Sequence, residues 1–348
     1  MTIPINSKLL DFLAEKSFKG GGAATILIVG RMKRMAEAGG SALGVVTEGA
    51  ASAAAHHESA AIDYIPPPED LRPYITTLFH FRSDEAEIED IQPADVGKLM
   101  IVLKGDGEAH FRDGRSQAIP RCSLQSPTSV AVPFRFEGGF HSLGAALTPL
   151  GWAALSGLGA DEHGNRIFEA RDFFGPETDA FCDAIHTSYA DGSIAQMEMV
   201  DRLSGFIRPR LKRVTKRHAT LIAQVVEWLG TSLDPELDAL YEQTAYSTRQ
   251  TQRLVERYFG LNPRALKRKY RAVRAAAFLS APNTTEEEVA GVTEFFYDQS
   301  HLIREINLFV GRTPSRLGGD DNPILNELLD LRNFRVKKPD GEDFERKT

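Results

Sequence analysis

Several chemistries lack their raw materials in this chain. Only two cysteines, Cys122 and Cys182, occur in 348 residues. One disulfide between them is an alternative, but two small thiols in apolar surroundings read as buried side chains in a reducing compartment. No stretch approaches the roughly 20 apolar residues of a membrane span, and residues 26–29 are too short for a signal-peptide core. A cytoplasmic protein follows, with no membrane partner. His80, His110 and His141 stand singly, and neither a His-x-His pair nor carboxylates at ligand spacing accompany them. His56 and His57 adjoin, but in a segment that reads as solvated. No Ser/His/Asp or Cys/His arrangement can be argued from order alone. Catalytic residues, a metal and a cofactor are therefore not expected. The triple glycine Gly20–Gly22 lacks a preceding strand and a Gly-Lys-Ser/Thr, so it reads as linker and not as a phosphate loop.

Net positive charge is missing as well, at −7 overall. Yet the total hides a sorting along the chain. Residues 1–201 hold 16 Lys/Arg against 28 Asp/Glu, residues 202–274 hold 16 against 6, and residues 275–348 hold 9 against 14. A basic block between two acidic ones points to a polyanionic partner for the block.

Composition divides the chain further. Residues 1–62 are poor in aromatics and rich in small residues, with little to bury against the entropy of ordering them. They read as a disordered arm, with a short helix at 7–16. From "YIPPPEDLRPYI" to residue 150, apolar runs of strand length alternate with turn signals, at 104–107 and at Asp113-Gly114 among them. This spacing predicts an antiparallel barrel or sandwich. Phe134, Phe136 and Phe140 alternate as strand residues and read as core, or as part of a ligand-cavity lining. From Thr148 the pattern turns helical, and 177–207 is a candidate dimer or inter-domain helix whose alternative is a cover for the sheet. After the basic connector "RPRLKRVTKRH" only helices are expected as far as 317, and "ILNELLDL" could add one docking helix in a charged tail.

Two similar units lie about 53 residues apart in this helical region. In the first, Asp234 is placed to cap a helix opened by Pro235 and ending near Thr244. Ser247 then caps a second helix running to Phe259, with Leu254, Val255 and Tyr258 inward and Arg249, Gln252, Arg253 and Glu256 on the opposite face. Gly260 stops it, and Asn262-Pro263 opens the next helix. A short helix, a tight turn and a polar-faced second helix form a helix-turn-helix pattern. Arg and Gln suit bidentate bonds to guanine and adenine edges. The second unit repeats the plan. Thr284 or Thr285 caps its first helix, the turn falls at 294–298, and a helix from about Ser300 carries Ser300, His301 and Arg304 outward. Leu302, Ile303, Ile306 and Phe309 form its apolar side. The helix "RALKRKYRAVRAAAFL" joins the units at a spacing suited to successive major-groove segments.

The stretch from about 219 to 317 resembles the DNA-binding domain of the AraC/XylS family of transcriptional regulators. The likeness rests on Ser247, Arg253 and Leu254, the "FGLNP" step, Arg271 with Ala275, and above all "YDQSHLIREI" followed by "GRTPS". It implies DNA contacts by Arg249, Gln252 and Arg253 on the first recognition helix, and by Gln299, Ser300, His301 and Arg304 on the second. Glu294 and Phe295 replace an apolar residue and a Gly usual in the family, and Tyr241 stands where a small Ala is usual. Residues from about 64 to 175 resemble the cupin-like sensor domain of one AraC-type subgroup, on "PPPEDLRPYI" and "LGAALTPLGWAALSGLGADE".

The expected architecture is an α+β multidomain protein. It comprises a Gly/Ala-rich arm (1–62), a cupin-like antiparallel β barrel or sandwich with helices (63–175) and a helical, basic connector (176–218). An all-α double helix-turn-helix domain (219–318) and a charged tail (319–348) complete it. The expected function is sequence-specific binding of double-stranded DNA as a transcriptional regulator that is not an enzyme. A small-molecule effector or homodimerisation through the N-terminal domain would control it, and an activator would also engage RNA polymerase. The competing readings are a cupin-like enzyme, such as an isomerase or dioxygenase, and a ligand-binding protein that has lost DNA affinity.

Overall fold

The computed structural model describes residues 60–280, 291–317 and 323–329. The expected arm up to residue 59, with its short helix, and the expected caps Thr284 and Thr285 lie outside these residues.

Eight strands form one antiparallel sheet. They are β1 (Ala61–Ile65), β2 (Ile75–Ser83), β3 (Glu87–Gln92), β4 (Lys98–His110), β5 (Ser116–Ala118), β6 (Cys122–Gln125), β7 (Val132–Leu147) and β8 (Ile167–Glu169). The order is β1-β2-β7-β4-β6-β8, with β3 added to β7 and β5 to β4. Strand β1 begins inside the expected arm, since Ala61 and Ile62 pair with Arg82 and Phe81. An edge strand is held by backbone hydrogen bonds as much as by side chains, so small residues concealed it.

The long strands β4 and β7 are the spine. The expected turn at 104–107 is not a turn, because β4 runs through it. The register shifts at Lys104, opposite a pair of glycines in β7. Gly105, Gly138 and Gly139 have φ of 74°, 74° and 68°, and a Cβ on Gly105 would lie 2.4 Å from the Gly139 oxygen. Glycines facing each other across a pair of strands bend both without reversing either, which is a bulge. The Asp113-Gly114 turn does form, between β4 and β5.

Side chains of β4 alternate between two layers. Leu99, Ile101 and Leu103 join Leu143, Ala145 and Leu147 under a helical cover. Met100 and Val102 join Phe81, Phe134 and Phe140 on the other face. The cover comprises α1 (Pro149–Ser156), α2 (Ala160–His163), α3 (Arg171–Phe174), α4 (Glu177–Ala190) and α5 (Gln196–Ile207). Thr148 Oγ1 caps α1 by accepting from Gly151 N at 2.9 Å. Trp152 of α1, Ile185 of α4 and Leu203 of α5 are fully buried against the sheet. The stretch 177–207 is thus two helices that cover the sheet. Cys122 and Cys182 meet here as buried free thiols. Their mutual hydrogen bond, then burial, pushes the Cys122 thiol far up, so it carries no thiolate chemistry.

From residue 216 the described chain is helical throughout: α6 (Lys216–Thr231), α7 (Leu237–Gln243), α8 (Thr248–Phe259), α9 (Pro263–Leu279), α10 (Gln299–Val310) and α11 (Pro323–Leu328). The basic connector before it lies against the β-rich part: Arg210 stacks 3.6 Å above the Phe206 ring, and Arg208 pairs with Asp70. An antiparallel β N-terminal part followed by helices is the expected fold class.

Candidate nucleic-acid interface

Helix α8 starts where its sequence says it should. Ser247 Oγ accepts from Gln250 N, and Ser247 N donates to Gln250 Oε1 at 3.2 Å, a reciprocal capping box. Gly260, at φ of 75°, ends the helix by donating to Glu256 O. Leu254, Val255 and Tyr258 are buried, whereas Arg249, Gln252 and Arg253 are exposed and Glu256 is half-buried. Ahead of it, α7 and a turn pinned by Thr244 Oγ1 and Thr251 Oγ1 at 2.9 Å complete the helix-turn-helix outline. Gln252 is engaged, its Nε2 donating to Tyr241 Oη of α7 at 3.1 Å.

Asp234 does not cap α7, which begins at Leu237 after Glu236. Its carboxylate instead accepts from Arg271 Nη1 at 2.8 Å and lies 2.9 Å from Lys267 Nζ. Two cationic donors on α9 outcompete a backbone N–H for one carboxylate.

The second unit matches its expected outline in part. The turn at 294–298 precedes α10, capped by Asp298 Oδ1 accepting from His301 N at 2.7 Å. Gly311 ends it at φ of 84°. Gln299, Ser300 and Arg304 are exposed, and Arg304 Nε reaches back to Ser300 O at 3.2 Å. His301 is half-buried. Its Nε2 lies 3.1 Å from Glu305 Oε1, one turn along the helix. Ile303 is not on the apolar side, being 36% exposed. The buried stripe is Leu302, Glu305, Ile306, Phe309 and Val310, and Ile303 lies about 100° round from Leu302.

Three features escaped the sequence reading. Glu305, 1% exposed, is the hub of the unit. It accepts from Arg268 Nε and from Arg271 Nη2 at 2.8 Å, joining α10 to the connecting helix α9 and through Arg271 to Asp234. A carboxylate in line with Leu302 and Phe309 was the available signal. Tyr297, 93% exposed, immediately precedes the Asp298 cap of α10 and leaves a large ring in solvent. Lys269, 3% exposed, donates to Asp95 O at 2.9 Å and Thr128 O at 2.8 Å, docking α9 on loops of the sheet. Neighbouring backbone bonds run from Ala94 N to Phe309 O and from Ala131 N to Leu308 O. The far end of α10 is therefore tied to the β-rich part.

The single histidines fall into two places. His110 Nδ1 is 2.8 Å from Ser116 Oγ. His80 and His141 both abut the Tyr189 ring, and burial pushes His80 down to about 4. Among the described residues no group of three or more His, Cys, Asp or Glu converges as metal ligands would, and no helix is long and apolar enough to cross a membrane.

No protein-family model matches the chain, and no curated protein does. Among solved structures, it is similar to ToxT from Vibrio cholerae O395 at 10% identity, over 78% of this chain and 97% of that one, with a TM-score of 0.41. The P21 crystal form of ToxT from Vibrio cholerae aligns at 8% identity over 78% and 98%, with a TM-score of 0.40. Unsaturated fatty acid-bound ToxT from Vibrio cholerae strain SCE256 aligns at 8% identity over 74% and 94%, with a TM-score of 0.37. At such scores and identities these likenesses carry no weight for function.

Proposed function

We propose that this chain is a sequence-specific DNA-binding transcriptional regulator of AraC/XylS type, with an effector-sensing β-rich domain. One observation carries the reading: α8 presents Arg249 and Arg253 to solvent from a rigidly capped helix-turn-helix inside the one strongly basic segment of the chain. In this reading the exposed Lys and Arg of residues 202–274 bind phosphates while Arg249, Gln252 and Arg253 read base edges. Gln252 must first leave Tyr241. On α10, Gln299, Ser300 and Arg304 contact DNA, and His301 does so only after release from Glu305. The first unit is accordingly the main reader. The protein acts in the cytoplasm as a homodimer, and an activator would also touch RNA polymerase. The exposed faces of α4 and α5, including Met197, are the surface for the partner copy.

Binding to duplex fragments selected from the source genome is expected to weaken steeply with salt, with a log–log slope of about −0.9 per phosphate neutralised. Arg253→Ala is expected to cost about 1–3 kcal/mol on the selected site while leaving non-specific binding nearly intact. Fluorescence-anisotropy titrations on both sequences measure this. Salt-independent binding, or no binding to any fragment, would sink the reading; an equal loss on both sequences would make Arg253 a phosphate contact.

A further inference from the structure

The curled sheet borders a partly open cavity of about 130 Å³. Every strand except β5 contributes to its wall, which is largely apolar and includes the rings of Phe79, Phe81, Phe134, Phe136 and Phe140. Phe134 and Phe136 stack with centroids 4.3 Å apart, and Phe136 and Phe140 at 3.8 Å. The polar side chains at its edge already serve one another. Lys98 Nζ is 2.7 Å from Asp95 Oδ2 and donates to Gln92 Oε1 at 3.0 Å. Thr77 Oγ1 donates to Ile65 O and Leu78 O, and Ser126 Oγ accepts from Arg166 N at 2.9 Å. Lys98, Thr77 and Ser126 are thus engaged within the protein, while Arg166, the other cation of the lining, has an exposed side chain. A cavity of this size with a mainly apolar wall suits about one aromatic ring.

Part of this wall comes from the far end of the chain. Ile324 and Leu328 of α11 line the cavity beside β-sheet residues, and Ile324 is 3% exposed. A six-residue helix has no stability of its own, so its position depends on what it docks against. The polar anchor is Asp90 of β3, whose Oδ2 accepts from Ile324 N at 3.1 Å and Leu325 N at 2.9 Å. Its Oδ1 accepts from Ile91 N at 2.7 Å and lies 4.0 Å from Arg312 Nη2, just beyond α10. The apolar anchor is the cavity wall itself.

We infer that the cavity binds an uncharged apolar ligand about one aromatic ring in size, and that helix α11 is the roof through which occupancy is felt beyond the sheet. This rests on the effector-sensing reading above and gives that site its ligand class and its moving part. A bound ring adds contacts to Ile324 and Leu328, so occupancy holds α11 down. Because α11 follows α10 in the chain and shares Asp90 with Arg312, the docked roof restrains the end of the second reading helix.

The test uses the full chain with toluene as probe. Isothermal titration calorimetry is expected to give saturable one-to-one binding. Ala146→Leu, which places three more carbons in the cavity, is expected to abolish it while the circular dichroism spectrum stays unchanged. Ile324→Ala, which removes three carbons from the wall, is expected to weaken it at least on the order of tenfold. Toluene is also expected to slow hydrogen exchange at the Ile324 and Leu325 amides. Absent or non-saturable binding overturns the site, and so does benzoate binding more tightly than toluene. Unchanged affinity in Ile324→Ala with unchanged exchange overturns the roof. Duplex binding is measured separately: its loss with toluene binding intact strikes the regulator reading and leaves this site standing.

Discussion

Replacing Glu305 by Ala is expected to destabilise the C-terminal helices by about 3 kcal/mol, at the lower edge of the range for breaking a buried ion pair. Glu305 is 1% exposed, and its carboxylate accepts from Arg268 and from both Nε and Nη2 of Arg271, at 3.2 and 2.8 Å. Arg271 is itself buried, so truncating Glu305 strands a guanidinium in an apolar setting. Asp234, 2.8 Å from Arg271 Nη1 and about one-third exposed, keeps part of the charge balanced. The face of Phe296, 4.8 Å from the guanidinium carbon, adds a cation–π contact. Both place the cost at the lower edge. The double variant Glu305→Met with Arg271→Met is expected to recover most of the loss, because two apolar side chains of similar volume need no partners. Urea unfolding of the two single variants and the double variant measures the coupling. A double variant as unstable as the sum of the singles would show that Glu305 and Arg271 act independently.

The network around Glu305 also marks the limit of what local sequence could reveal. Helix α8 was legible because everything that makes it is local: Ser247 and Gln250 cap it, Gly260 ends it, and the 3.6-residue period sorts its faces. The positions of Arg249, Gln252 and Arg253 on its exposed side follow from that period alone. On α10 the period misplaced Ile303 and left Glu305 unnoticed, since an apolar residue is taken as buried and a carboxylate as solvated until a partner is known. The arginine partners of Glu305 lie 34 and 37 positions away. The glycines of β4 and β7 misled for a related reason. Gly105 reads as part of a turn in isolation, and only its pairing with Gly138 and Gly139 across two strands makes it a bend. Asp90 holding the amides of Ile324 and Leu325 spans more than 230 positions, beyond any pattern that spacing can display.

Lys269 provides the second large effect, and it is a pH effect. The ammonium is 3% exposed and donates to Asp95 O and Thr128 O, 174 and 141 positions away. Burial lowers its pKa from 10.5 to about 8; the Asp95 carboxylate opposes this, and Lys98 adds to it. Below about 8 the folded and unfolded chains both hold the proton, and the folded state bears the full cost of burying the charge. Between about 8 and 10.5 the unfolded chain binds a proton that the folded chain has released, so stability rises with pH across that window. The stability this group contributes is therefore complete above the unfolded pKa and is lost as pH falls through the folded one. The rise amounts to about 3 kcal/mol. Lys269→Met lacks it, so the stability difference between wild type and variant is expected to shift by that amount in favour of wild type from pH 8 to 10.5. Other cysteine, tyrosine and lysine groups titrate in both proteins and cancel in the difference. Urea unfolding of the pair at pH 7, 8, 9 and 10 gives the curve, and a flat difference would mean that Lys269 keeps its proton through the whole range. A neutral amine still donates to both carbonyls, so docking of α9 on the sheet persists above pH 8 at lower cost. The Lys269 contact that docks α9 on the sheet thus contributes more to stability as pH rises from about 8 to 10.5, and loses that contribution as pH falls back to about 8.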